Sequence, residues 1–288
     1  MRTQELALAK INLALDILGR RADGYHELRM VMQTVSLCDV ITVEEGGTGF
    51  TLLTGEAFSL PADKVSMEQR AAEAFFAALG VPVPPLTVRL EKNIPAFAGL
   101  GGGSADVAAL LRCLRRLYAA GMPDEALRAI GLTVGSDVPF CVSGGTSLAE
   151  GRGERLTDLP PLPVCQIVLC KPDFGISTPE LFVLADGAVL SKRPDIAGLT
   201  AALQGGELTG VTDRLCNVFE EFLPERYREV FRIKESLLAH GALNAAMSGS
   251  GPTVYGIFES AAEAQRAAEV LKKSYQQTYV AKPVKKLV

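Results

Sequence analysis

The chain contains no tryptophan and only two histidines, His26 and His240, which lie far apart. Without tryptophan, the commonest large aromatic binding platform is missing. Its six cysteines, at 38, 113, 141, 165, 170 and 216, form no Cys-x-x-Cys pair. With so few histidines, this spacing argues against a zinc site. The cysteines instead read as small buried hydrophobes in a reducing compartment. No basic excess exists either: the net charge of −4 argues against general nucleic-acid binding. The greasiest stretch, LALAKINLALDIL at 6–18, is broken by Lys10, Asn12 and Asp16. It is too short and too charged to span a membrane, and it lacks a cleavage site, so a cytoplasmic protein is expected. There are no repeats and no low-complexity tracts.

What is present is the balance of a soluble globular protein. Hydrophobic residues make up 48% and charged residues 22% of 288 residues, enough for one large or two ordinary domains. Residues 5–18 and 27–45 read as strands, with turn chemistry in Gly19-Arg-Arg-Ala-Asp-Gly24 between them. The spacing predicts helices at 67–79, 105–120 and 123–132, and a half-buried strand at 86–90. In the second helix Arg112, Arg115 and Arg116 fall mainly on the face opposite the apolar one. A proline-rich joint, Pro160-Pro161-Leu162-Pro163, opens the second half. There the pattern predicts strands at 164–170, 243–247, 253–258 and 278–284, and helices at 178–185, 224–239 and 260–273. That order is of the split βαβ, ferredoxin-like kind with inserted helices, so the chain is α+β. Residues 186–213 have weak periodicity and receive no assignment.

The densest local signal is Pro95-Ala-Phe-Ala-Gly-Leu-Gly-Gly-Gly-Ser-Ala-Asp106, with four glycines in the five residues 99–103. It follows a strand and opens a helix, the context in which free helical N–H groups and the dipole hold an anion. A Walker A loop requires a lysine after the glycines, and none follows. A dinucleotide fingerprint requires a closing glycine, but Ser104 or Asp106 occupies that place. A plain packing turn needs fewer glycines. A phosphate cradle is therefore the favoured reading.

This stretch resembles the Pro-x-x-x-Gly-Leu-Gly-Ser/Gly-Ser-Ala motif of the GHMP small-molecule kinases. Three more stretches agree, in family order: Ala9-Lys-Ile-Asn12 with Gly19 to Leu28, Gly135-Ser-Asp-Val-Pro-Phe140, and Met247-Ser-Gly-Ser-Gly-Pro-Thr-Val254. The Arg-Arg-Ala-Asp-Gly-Tyr-His-Glu-Leu segment is similar to one branch of the family, whose substrate is a cytidine diphosphate derivative. The resemblance implies two domains, 1–158 and 159–288. The first would be a ribosomal-protein-S5-domain-2-like domain carrying the glycine loop and the second ferredoxin-like, with the active site in the cleft between them. It implies ATP and Mg²⁺ as cofactors, a small-molecule substrate as partner, no nucleic acid or membrane, and a monomer or homodimer.

The resemblance also implies roles. Pro95, Gly99, Leu100, Gly101, Gly102, Gly103 and Ser104 would hold ATP, and Lys10 and Asp137 would be catalytic. Asn12, Tyr25, His26, Thr178, Phe182 and Gly249 would bind substrate. Taken alone, several of these residues have plainer readings. Asp137, beside Pro139, also suits an Asx-turn or helix cap. Lys10 is an exposed strand residue, or else it shares with Asn12, Ala14 and Asp16 a face that lines a polar cleft. Tyr25-His26 is a turn pair, or else Tyr25 stacks on a cytosine opposite Phe182 while His26 bonds its edge. Phe182 is equally a core residue. Gly249 and Gly251 mark a hairpin or a second glycine wall. Ser104 caps the helix, touches a phosphate or ligates the metal, whose ligands are otherwise unassigned. One stretch departs from the branch: Ser66-Met67-Glu68 precedes Arg70-Ala-Ala72 where the branch carries Asn-Leu and an apolar residue. In the family that segment contributes to the adenine pocket.

Overall fold

A computed structural model describes residues 1–55 and 65–287. In chain order the elements are β1 (Arg2–Arg20), β2 (His26–Glu45), β3 (Phe50–Thr54), α1 (Met67–Ala78), β4 (Leu86–Glu91), α2 (Gly102–Tyr118), α3 (Asp124–Leu132), α4 (Val138–Ser143), β5 (Thr146–Gly151) and β6 (Arg155–Asp158). They continue with β7 (Gln166–Lys171), α5 (Thr178–Asp186), α6 (Ile196–Gly205), α7 (Leu208–Thr212), β8 (Cys216–Asn217), α8 (Glu229–Ala239), β9 (Asn244–Met247), β10 (Val254–Phe258), α9 (Ala261–Lys272) and β11 (Gln277–Ala281).

Among the described residues the strands form two sheets. The first is ordered β3-β4-β2-β1-β8, with β5 paired to β2 and β6 to β5. Strand β2 is long enough to share one edge between two partners: residues 40–45 pair with β4 and 28–33 with β5. Its other edge pairs with β1 from end to end. Helix α2 packs beneath this sheet with Val107, Leu110, Leu111 and Leu114 fully buried. The second sheet is ordered β11-β7-β10-β9, wholly antiparallel, which is the strand order expected of the ferredoxin-like unit. The proline-rich joint lies between β6 and β7, but two later segments return across it. Strand β8 pairs with β1, and residues 282–287 bond to Ser36, Thr34 and Ser143.

Several boundaries differ from the sequence pattern, each for a local reason. The last strand stops at Ala281 because Pro283 donates no ladder bond. The helix expected from 224 begins at Glu229, after a 3₁₀ turn at Glu225–Tyr227 that follows Pro224. The unassigned stretch 186–213 contains α6 and α7, held by buried Leu199, Leu203 and Val211. Arg112 is buried rather than on the polar face of α2. Its guanidinium donates to the carbonyls of Leu6 and Cys141, both at 2.8 Å. The alternation in β1 also breaks. A register shift between Asn12 and Ala14 hands the face shared by Lys10 and Asn12 to Leu15 instead of Ala14 and Asp16.

The two sheets meet at the glycine loop. Lys10 N donates to Leu100 O at 3.0 Å, and Ser248 Oγ donates to Gly99 O at 2.9 Å. Tyr255, fully buried on β10, donates its hydroxyl to Asn12 O of β1 at 2.8 Å. Gly99 adopts φ +73°, and a Cβ there would fall inside the contact radius of Ser248 O and 2.9 Å from Gly251 N. The side chain of alanine has no place to go, because every nearby atom is backbone. Gly99→Ala should therefore cost about 1–3 kcal/mol from overpacking and about 1–2 kcal/mol from the left-handed backbone. Urea unfolding measures this; an unchanged midpoint would mean that the loop and hairpin do not depend on this approach.

Candidate functional site

The junction opens into a cleft of about 1240 Å³. Every residue singled out above as catalytic, ATP-binding or substrate-binding lines it. They arrive from β1, the β1–β2 turn, the glycine loop, the α3–α4 turn, α5 and the β9–β10 turn.

Its floor is the start of α2. Gly101 is the N-cap residue at φ +69°, and the first helical bond runs from Ala105 N to Gly101 O at 2.9 Å. The N–H groups of Gly102, Gly103 and Ser104 precede that bond and have no helical acceptor. At the positive end of a 17-residue helix, such free N–H groups favour an anion. The bare backbone at Gly101 also admits Lys10: a Cβ there would stand 3.0 Å from Lys10 Cγ.

Lys10 is 5% exposed. Its Nζ donates to Asn12 Oδ1 at 2.8 Å and lies 3.7 Å from Asp137 Oδ2, so two residues 127 positions apart meet in space. Asp137 is the N-cap residue of α4, but its side chain makes no cap bond, which leaves the carboxylate free to face the cleft. The β5–β6 turn approaches it from another side: a Cβ at Gly153 would be 3.8 Å from Asp137 Oδ1. Gly249 closes the opposite wall, 3.1 Å from Lys10 Nζ by the same measure. Asn217 holds that turn, donating to both Met247 O and Gly249 O at 2.8 Å.

One arm of the cleft is aromatic. His26 stacks on Phe182 with centroids 4.6 Å apart and planes at 19°, and its Nε2 is 2.8 Å from Asp186 Oδ1. Tyr25 is 53% exposed, and the Arg152 guanidinium lies 4.5 Å over its ring. The His26 stack covers one face of Phe182, and the Arg152 cation–π contact one face of Tyr25. Thr178, at the head of α5, shares a 2.6 Å hydrogen bond with Ser250 of the β9–β10 turn.

The other arm is walled by Met67 and Glu68 of α1, Leu90 and Lys92 beside β4, and Asp106 of α2. Lys92 Nζ bridges Asp39 and Asp106, the latter at 2.7 Å. Asp39, fully buried on β2, also accepts from Ile94 N at 2.7 Å and from Asn93 N. It thereby pins the strand-to-loop joint ahead of the glycines. Burial raises the Asp106 carboxyl above the usual carboxylate range; the Lys92 charge offsets only part, and Asp39 adds to the rise. Ser66 caps α1, accepting from Gln69 N at 3.0 Å.

Sequence reading did not single out Arg152, Asp186, Ser250, Phe219 or Lys92 as site residues. Arg152 had a signal, a charged residue between glycines in Gly151-Arg-Gly153, and Ser250 lay inside a quoted motif. Asp186 and Phe219 had none. They reach the cleft only because α5 and the segment after β8 fold over β1.

The family model described as GHMP kinases N terminal domain matches residues 67–145, and GHMP kinases C terminal matches 200–277. The 4-diphosphocytidyl-2-C-methyl-D-erythritol kinase of Clostridium acetobutylicum is 37% identical over 96% of this chain and 99% of its own length. The enzyme of the same name from Caldicellulosiruptor bescii is 39% identical over 92% of this chain and 93% of its own. A crystal structure of 4-(cytidine 5′-diphospho)-2C-methyl-D-erythritol kinase superposes with a TM-score of 0.82 at 32% identity, covering 98% of this chain and 99% of that one. Matched by both family models and by relatives along nearly its whole length, the chain belongs to the GHMP kinase family.

Proposed function

We propose that this chain transfers the γ-phosphoryl group of ATP to the 2-hydroxyl of 4-diphosphocytidyl-2-C-methyl-D-erythritol, giving the 2-phosphate and ADP. It would act in the methylerythritol phosphate route to isoprenoid precursors, in the cytoplasm. The observation that carries this reading is the meeting of Lys10 and Asp137, 3.7 Å apart, between an N–H-lined anion site and an arm with stackable rings. Relatives that bear this enzyme's name along nearly the whole chain support the acceptor.

Phosphoryl transfer demands positioning and charge neutralisation more than covalent chemistry. The triphosphate lies over Gly99 to Ser104, its oxygens taking the free N–H groups of Gly102, Gly103 and Ser104. The acceptor hydroxyl lies at Asp137, whose carboxylate accepts its proton as the oxygen attacks the γ-phosphorus and ADP leaves. Lys10 offsets the charge of that carboxylate and of the developing alkoxide. Asn12, bonded to Lys10, orients the hydroxyl. The cytosine enters the aromatic arm, where it exchanges with the Arg152 contact on Tyr25 and the His26 contact on Phe182. His26 meets its polar edge and Thr178 and Gly249 border its diphosphate. The division at 158/159 makes this cleft an interdomain one.

Among the described residues no cluster of three or more His, Cys, Asp or Glu suits a metal. That fits Mg²⁺, which is held chiefly by nucleotide phosphates with one or two protein oxygens. Ser104 Oγ and Asp137 are the oxygen donors beside the phosphate path. When bound, the ion would neutralise charge on the transferring group.

Coupled ADP release should show turnover with the cytidyl substrate and none with mevalonate or homoserine; turnover with either of those alone sinks this reading. Asp137→Asn should lower kcat by about 10²–10⁴ while calorimetric ATP affinity stays nearly unchanged. An unaltered kcat would remove Asp137 from the mechanism. Tyr25→Ala should raise KM for the cytidyl substrate and leave KM for ATP alone. The opposite pattern would show that the two arms are exchanged.

A further inference from the structure

Glu68 stands out in the arm away from the aromatic residues. It is 7% exposed, it lines the cleft, and it makes no hydrogen bond or ion pair among the described residues. The neighbouring carboxylates are held by protein donors: Asp39 by Lys92, Asn93 N and Ile94 N, and Asp106 by Lys92 through one oxygen, the other being buried without a partner. Lys92 already has two counter-charges, so Glu68 is not needed as a third. Neither of its oxygens is among the buried side-chain atoms left without a partner, so the carboxylate opens onto the cleft rather than into the core. Its seat in the first turn of α1, where helix N–H groups favour negative charge, suits a carboxylate there.

An ionised carboxylate only accepts hydrogen bonds, so its partner must be a donor. On the reading proposed above, the triphosphate covers the glycine loop and the acceptor fills the aromatic arm, which leaves this arm to the nucleoside of ATP. Met67 and Leu90 supply apolar walls for the purine faces, and Glu68 shares their wall. We propose that Glu68 is a specificity-determining residue of the nucleotide arm, whose carboxylate accepts hydrogen bonds from the donor groups of adenosine. Those donors are the exocyclic amino group and the ribose hydroxyls.

The test is calorimetric and omits the acceptor, so it does not depend on the acceptor's identity. Wild type and Glu68→Leu, which removes the carboxylate and keeps a good helix former, are titrated with four probes. These are MgATP, purine riboside triphosphate lacking the amino group, 2′-deoxy-ATP, and inorganic tripolyphosphate. Wild type should bind one of the two analogues about tenfold more weakly than ATP. Glu68→Leu should bind ATP about tenfold more weakly and lose that preference, while tripolyphosphate affinity is unchanged. Which analogue is penalised identifies the donor. Unchanged ATP affinity in Glu68→Leu, wild-type ratios for both analogues, or a parallel fall for tripolyphosphate would each overturn the proposal.

Discussion

The backbone of the glycine loop touches the backbone of the β9–β10 turn, with Gly99 against Ser248 and Gly251, and no side chain stands between them. The rest of the site depends on that approach. It brings the start of α2 alongside the hairpin, and it leaves a slot in which the stem of Lys10 lies across Gly101 with its ammonium beside Gly249. One Cβ at any of these positions would move a wall of the cleft. Supporting bonds hold the arrangement from behind. Ser248 bonds Gly99, Asn217 bonds the turn twice, and Tyr255 ties the second sheet to β1.

Charge is distributed around that contact with little waste. On the proposed reading the phosphates meet helix N–H groups rather than a lysine, which leaves the one buried lysine of β1 beside Asp137 and Asn12. A second lysine, Lys92, is spent structurally on Asp39 and Asp106, and so braces the joint that aims the loop. The aromatic arm carries its own charges in Arg152, Arg20 and Asp186, all near its rim. Among the described residues lining the cleft, Lys10, Arg20, Lys92 and Arg152 are matched by Glu68, Asp106, Asp137 and Asp186, so neither charge is in excess there.

The long elements were legible from residue order because their signals are local. The period-two runs of β1 and β2, the helical spacing of α2, and the βα context of the glycine loop all depend on neighbours in sequence. The position of the glycine loop at a helix start was local too, since it lies wholly within 95–106. Three short strands were not legible. Strands β3, β6 and β8, with two to five residues each, exist because a longer neighbour offers an edge. The bulge after Asn12 was hidden too, as it arises from pairing with β2 and not from a residue type.

Residue order alone determined which chemical groups are available: a glycine loop at a helix start, one strand lysine, one turn aspartate, a Tyr-His pair. The tertiary structure decided which of them act together. Lys10 reaches Asp137 across 127 positions, Asp186 reaches His26 across 160, and Arg152 covers Tyr25. Such distances carry no pattern in the chain, because loop closure joins residues by the packing of the elements between them. The same holds for Glu68. As a sequence feature it was only a departure from a pattern; burial in the cleft wall without a partner is a property of the fold.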